Sequence, residues 1–414
     1  MITTRRRWHI SALAAAALIV AGCGGGTTDA PLASRVVVFG DSLSDIGAYT
    51  VATQIPLGQA AGVPPFFGGK FTTNTHTGYT ATSNTSNALI WVESIAARLG
   101  VAITPAEVGF GPTPNRRKCP VALSNPALAG SCTGYGQGGS RVTAAEGIGN
   151  PNGNGINGTS PAPMTVPMVT QVADHLTAFT SFSGDDIVFV FGGNNDVFVQ
   201  FQTFLQSQVS AGREVPQGVA VTPELAIANV RTAATELATL VKNEIIAKGG
   251  KRVAVLTLPD SAATPFGAGV QAQAGAEARA LLSLLSAEFN SALVAGLSGS
   301  SARIIDARAM NTAVQASPGT YGLTNITTPA CNATIIAGVT GGRVTDGSSL
   351  FCNAAPAALF TAAGLPSLNA ITPGASASTY LFADSVHPTT GGHKVFADQV
   401  WQALKDIGWV PANL

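Results

Sequence analysis

The chain has 414 residues, with 22 Lys and Arg against 22 Asp and Glu, so its formal net charge is zero; 11% of residues are charged and 46% hydrophobic. The absence of a basic excess excludes a nucleic-acid binder, which needs clustered Lys and Arg, and low charge with high apolar content is the reverse of the disorder signature. With 47 Gly and 24 Pro, the surface must be largely uncharged, which suits an exported or envelope protein better than a cytosolic one.

Residues 1–22 read as a signal peptide: Arg5, Arg6 and Arg7 precede a short apolar run, Ile10–Val20. That run is too short for a membrane span, which needs about 20 residues. It ends in Val20-Ala21-Gly22-Cys23, which resembles a bacterial lipobox with Cys23 as the lipidated residue. Residues 23–34 are then a Gly/Thr-rich tether. The expected location is the cell envelope, as a lipoprotein of the outer membrane or cell surface, or the secreted fraction.

The first strand is expected at Arg35–Phe39 (RVVVF), running into Gly40-Asp41-Ser42. An amphipathic helix follows at Ala88–Leu99, closed by Gly100, and Asp186–Phe191 (DIVFVF) is a continuous apolar strand. A long helix spans Pro223–Lys248 after the capping-type Thr222. Lys251–Leu258 is the next strand, Ala274–Leu297 a helix, Ala302–Asp306 a short strand, and Gly391–Ile407 the last helix. Apolar strands separated by helices predict an α/β fold with a parallel sheet covered on both faces. Ligands of such sheets sit beyond the carboxyl ends of the strands. Residues 35–414 read as one domain, with Gly/Pro/Asn-rich surface insertions near 101–132, 141–166 and 317–379.

Apart from Cys23, the cysteines are Cys119, Cys132, Cys331 and Cys352. An even number in an exported chain implies disulfides, and three pairings are open. The local pairs 119–132 and 331–352 are the simplest, each stapling one insertion. No C-x-x-C spacing supports a metal site, and no metal or cofactor is expected.

Four stretches carry chemistry. Gly40-Asp41-Ser42-Leu43-Ser44-Asp45 places a serine just past the first strand, where a helix start would supply unpaired N–H donors. Asp384-Ser385-Val386-His387-Pro388 places a carboxylate three residues before an imidazole, in reach to orient it as a base. Gly192-Gly193-Asn194-Asn195-Asp196 follows the DIVFVF strand and supplies an amide donor. Gly138-Gly139-Ser140 permits close main-chain approach to a substrate. Two G-x-G-x-x-G matches, at Gly134 and Gly153, lack the strand–turn–helix context of a dinucleotide site.

These blocks, in this order, resemble the SGNH (GDSL) hydrolase family of esterases and lipases. The longer string FGDSLSDIG resembles its exported branch, which includes lecithinase/haemolysin-type phospholipases. The resemblance implies a flavodoxin-like α/β/α sandwich with about five parallel strands. It also implies Ser42 as nucleophile, His387 as base and Asp384 as its orienting acid. The oxyanion hole it implies is the backbone N–H of Ser42 and of Gly139, with Gly138 as the alternative in the Gly pair, and the side chain of Asn195. The chain departs from the family at Gly134, where an Asn is usual, and in the length of its insertions.

The expected activity is serine-dependent hydrolysis of carboxylic esters, including lipids and phospholipids. A carbohydrate deacetylase or acyltransferase on the same fold is the alternative, and a non-catalytic envelope lipoprotein is the reading least favoured. The expected partners are an ester substrate and, through the N-terminal lipid, a membrane; no nucleic acid or protein partner is inferred. Val197, Phe198, Val199 and Phe201 are candidates to line an acyl pocket, with core packing as the competing role. Pro64–Phe67 is a candidate lid.

Overall fold

The computed structural model describes residues 32–50, 69–75, 86–109, 117–145, 147–148, 166–209, 222–342, 344–356 and 367–414. The expected signal segment, Cys23, the tether as far as residue 31 and Pro64–Phe67 lie outside the described residues.

Stiff, β-branched or aromatic runs form the strands. These are β1 (Arg35–Gly40), β4 (Asp186–Phe191), β5 (Arg252–Leu256) and β6 (Arg303–Ile305), with a separate antiparallel pair, β2 (Glu107–Val108) and β3 (Arg117–Lys118). The main sheet has the order β1-β4-β5-β6, every pairing parallel, with Val38 opposite Phe189 and Val188 opposite Val253. A further extended segment lies along the free edge of β1. Val38 N–H donates to Thr133 O at 3.0 Å and Tyr135 N–H to Val38 O at 2.9 Å, a single parallel bridge at Gly134. The five-strand expectation is therefore met by four strands and one bridged segment, in the spatial order of flavodoxin-like sheets.

The helices are α1 (Trp91–Arg98), α2 (Pro120–Ser124), α3 (Met168–Phe179), α4 (Asn194–Val209) and α5 (Pro223–Leu240). After them come α6 (Pro265–Leu297), α7 (Ala307–Ala316), α8 (Ala333–Val339) and α9 (Thr390–Asp406). Successive strand residues point to opposite faces. Val37, Phe39, Val188, Val190, Val253 and Val255 pack under α3, α4, α5 and α6. Val36, Val38, Ile187, Phe189, Ala254 and Leu256 pack under α1 and α9. Both faces are buried, which is why the strands lack polar alternation.

The helix bounds follow their punctuation. Gly100, at φ +73°, follows α1. Thr222 caps α5 by accepting from Leu225 N–H at 3.2 Å. α5 runs on as a π-helical turn over Val241–Ile246, so the predicted helix to Lys248 is nearly complete. α6 begins at Pro265, earlier than expected, because it continues across a kink at Gly275 (φ +87°).

The cysteines pair locally, Cys119 with Cys132 and Cys331 with Cys352. The second bridge closes a loop that folds over the carboxyl end of the sheet. There Asn74 N–H donates to Cys352 O at 2.8 Å and Cys331 N–H donates to Ala383 O at 2.9 Å. Residues 317–379 are thus not merely a surface insertion, because part of this stretch builds the site.

Candidate active site

The chain leaves β1 through Gly40, pressed so closely against β4 that a Cβ there would lie 2.1 Å from Phe191 O. It then makes one 3₁₀ turn, Ser42–Ser44, capped by Asp41, whose Oδ1 accepts from Leu43 N–H at 3.1 Å. The expected helix start is therefore a single turn, and the local donor is the free Ser42 N–H rather than a helix dipole. Among the described residues that N–H has no intrachain acceptor.

Ser42 Oγ lies 2.8 Å from His387 Nε2. His387 Nδ1 lies 2.9 and 2.8 Å from the two oxygens of Asp384. A carboxylate only accepts, so Nδ1 carries the proton and Nε2 is left to accept from the serine hydroxyl.

Asp384 is buried and also accepts from three backbone N–H groups: Ser349 at 2.8 Å, Val386 at 2.9 Å and His387 at 2.7 Å. Burial alone raises its pKa, but the His387 charge and these hydrogen bonds outweigh it and hold the carboxyl well below its usual range. Burial likewise pulls the His387 imidazole down. Asp384, with Asp41 and Asp346 behind it, outweighs that too and leaves the pKa raised. The Phe71 ring, its centroid 4.9 Å from that of His387, packs against the imidazole.

The two members of the glycine pair differ in the partners of their N–H groups. Gly138 N–H is already held by Asp45 Oδ2 at 2.9 Å, whereas Gly139 N–H has no intrachain acceptor among the described residues. Gly139 sits at φ +83°, where side-chain-bearing residues are strained.

Asn195, in the first turn of α4, donates one amide N–H to Ser140 O at 2.8 Å, leaving the other for the cleft it lines. Its neighbour Asp196 accepts from Arg141 Nε at 2.9 Å and Val142 N–H at 3.0 Å. Together the two residues clamp the strand-end loop of β4 to the loop carrying Gly139. Asn194 instead donates to Asp41 Oδ2 at 3.2 Å. Burial pushes Asp41 and Asp45 each up to about 6.

Ser42, Gly139, Asn195 and His387 open into one cleft of about 540 Å³. Its walls include Phe71, Phe198, Phe266, Val344, Leu350 and Phe351. Of the predicted acyl-pocket residues only Phe198 lines it; Val197 and Phe201 are fully buried in the core. His175 and His393 are buried as well, and burial lowers them to about 4 and about 3, so neither is a base near neutrality.

Sequence reasoning missed Ser349, which acts through a backbone N–H and so leaves no residue-type signal. It also passed over Asp45, although that residue stands within the quoted Gly-Asp-Ser-Leu-Ser-Asp string.

Comparison with curated proteins finds no match. The sequence profile described as GDSL-like Lipase/Acylhydrolase matches residues 36–400, from β1 into α9 and across all five site positions. The chain therefore belongs to the GDSL-like lipase/acylhydrolase family, hydrolases acting on esters.

Proposed function

We propose that the protein is a serine-dependent carboxylic-ester hydrolase working through an acyl-Ser42 intermediate. One observation carries this reading: the unbroken chain from Ser42 Oγ through His387 to Asp384, with links of 2.8 to 2.9 Å, beside N–H donors that have no intrachain acceptor among the described residues.

Ser42 Oγ attacks the ester carbonyl carbon as its proton passes to His387 Nε2. The carbonyl oxygen becomes an oxyanion, held by the N–H groups of Ser42 and Gly139 and by the Asn195 amide. His387 then gives its proton to the departing alkoxide, the C–O bond breaks, and the acyl group remains on Ser42. Water enters, loses a proton to His387 and attacks the acyl carbon. Return of that proton to Ser42 Oγ releases the acid. Asp384 stays ionised and stabilises the imidazolium of each step.

The cleft walls are mainly aromatic and aliphatic, and the carboxylates of Asp41, Asp346 and Asp384 line it too. An uncharged or zwitterionic ester with an apolar acyl chain suits those walls, and a lipid is the substrate class we propose. The N-terminal sequence supports placing the enzyme in the cell envelope as a lipoprotein anchored through Cys23.

The test is a hydrolysis panel of short and long acyl esters, phospholipids and acetylated sugars, with Ser42→Ala as control. Long acyl esters are expected to turn over, Ser42→Ala to be inactive but folded, and a fluorophosphonate to label Ser42. Full activity in Ser42→Ala would refute the serine mechanism. Preference for acetylated sugars would move the assignment to deacetylation.

A further inference from the structure

The donor at Gly139 belongs to a peptide unit whose orientation needs holding. Ser140 N–H donates to Gln137 O at 3.1 Å, closing a β-turn over residues 137–140. The φ of +83° at Gly139, its third residue, is that of a type II turn. Type I and type II turns differ mainly in the central peptide, which rotates by roughly 150–170° between them. Here the central peptide is Gly138 C=O to Gly139 N–H. In type I geometry the carbonyl oxygen, not the N–H, would take the cleft-facing position. With glycine at both central positions, the side chains of the turn impose no choice.

Tyr49 supplies that choice. Its hydroxyl donates to Gly138 O at 2.8 Å in a buried contact. In a trans peptide the C=O and N–H point in opposite directions. Tethering the oxygen to Tyr49 therefore turns the N–H of Gly139 to the opposite side of the peptide, within the cleft that Gly139, Ser42, Asn195 and Tyr49 all line. Asp45 fixes the preceding peptide through Gly138 N–H at 2.9 Å.

We infer that Tyr49 is a positioning residue for the oxyanion hole, holding the Gly138–Gly139 peptide with its N–H presented to the reacting carbonyl. A hydrogen bond to the carbonyl also polarises the same peptide and strengthens its N–H as a donor. Burial pushes the Tyr49 phenol far above its ordinary value, so the hydroxyl keeps its proton wherever the enzyme works. The inference rests on the serine-hydrolase reading above and concerns only how one of its donors is aimed.

The test is Tyr49→Phe in the full-length enzyme, which keeps the ring against Phe71 (centroids 5.5 Å apart) and deletes only the hydroxyl. Losing an oxyanion donor outright costs about 10²–10³ in rate, and losing its aim is expected to lower kcat about 10-fold with KM within twofold. Binding of phenylboronic acid, whose Ser42 adduct is a tetrahedral anion, should weaken by a similar factor. The acid limb of the pH profile should stay in place, because His387 is untouched. A kcat within twofold of wild type, or boronate affinity unchanged, would overturn the inference. So would a shifted acid limb, which would place the effect on the Phe71–His387 contact. Should Tyr49→Phe fail to fold, 4-fluorophenylalanine at position 49 fills the space of the hydroxyl without donating, and the same 10-fold loss is expected. Activity in Ser42→Ala would refute the parent mechanism whatever the Tyr49 result.

Discussion

Replacing Asp384 by Asn tests the site through its electrostatics. The carboxylate accepts four N–H groups: Ser349, Val386 and His387 from the backbone, and His387 Nδ1. An amide of the same shape keeps one acceptor oxygen and turns an NH₂ group toward one or more of those donors. Hydrogen bonds to charged groups contribute about 1.5–3 kcal/mol against 0.5–1.5 for neutral pairs. Weakening three backbone bonds should thus cost about 2–4 kcal/mol of stability at neutral pH. The sign agrees with the depressed Asp384 pKa: its stabilisation is present above the ordinary carboxylate value and lost only as pH falls through the lower folded value.

Catalysis should suffer more. With no carboxylate to fix the proton on Nδ1, His387 can present an N–H instead of a lone pair to Ser42, a change expected to cost about 10³–10⁴ in kcat. The residual activity carries the sharper readout. In the native enzyme the acid limb of kcat/KM should lie above 6.5, because Asp384 raises His387. In Asp384→Asn burial, the largest single influence on that imidazole, loses its main opposition, so the limb should fall below 6.5. Stopped-flow or plate hydrolysis of p-nitrophenyl esters from pH 4.5 to 9 measures both quantities. A variant within 10-fold of wild type, or an acid limb that does not move down, refutes the role given to Asp384.

Three other outcomes are expected. Asn195→Ala should lower kcat by about 10²–10³, or 3–4 kcal/mol of transition-state stabilisation, with a folded protein by circular dichroism; part of the loss comes through the freed Ser140 loop. Breaking the Cys331–Cys352 bridge with a Cys331→Ser, Cys352→Ser pair should cost about 3 kcal/mol by loop entropy. It should also lower kcat, because Ser349, which donates to Asp384, lies inside the closed loop; kinetics and urea unfolding check both. His175, stacked 4.3 Å from Phe182 with neither ring nitrogen partnered among the described residues, is held near pKa 4 against 6.5 unfolded. Below pH 6.5 the unfolded chain takes up the proton first, so native stability drops by about 2 kcal/mol by pH 5. His175→Phe should remove that drop, and a wild-type-to-variant difference that is constant between pH 7.5 and 5 counts against it.

The strands were legible in the sequence because both faces of the sheet are buried, so RVVVF, DIVFVF and RVAVL are apolar after their first, charged residue. The helix ends at Gly100 and Thr222 were legible because Gly and Thr have specific local roles there. The turn after Ser42 was less so: Asp41 and Ser42 suit a helix cap and a 3₁₀ turn equally, and the backbone that follows decides. Val197 and Phe201 show the same limit, since apolar helical spacing does not say whether a face meets the core or a cleft.

By itself the sequence determined the chemical groups: a serine past the first strand, an Asp–His pair near the end, a glycine pair, and an amide after the DIVFVF strand. Tertiary structure alone decided their alignment. Ser42 and His387 are 345 residues apart, and only the burial of β1, α1 and α9 in one hydrophobic core brings them to 2.8 Å. Which of Gly138 and Gly139 offers its N–H depends on the Asp45 carboxylate and the Tyr49 hydroxyl, contacts across more than 85 residues. The Ser349 donor depends on a disulfide that folds a Gly-rich stretch over Asp384. Local propensity is written residue by residue, whereas hydrogen-bond geometry to a few tenths of an ångström is a property of the packed whole.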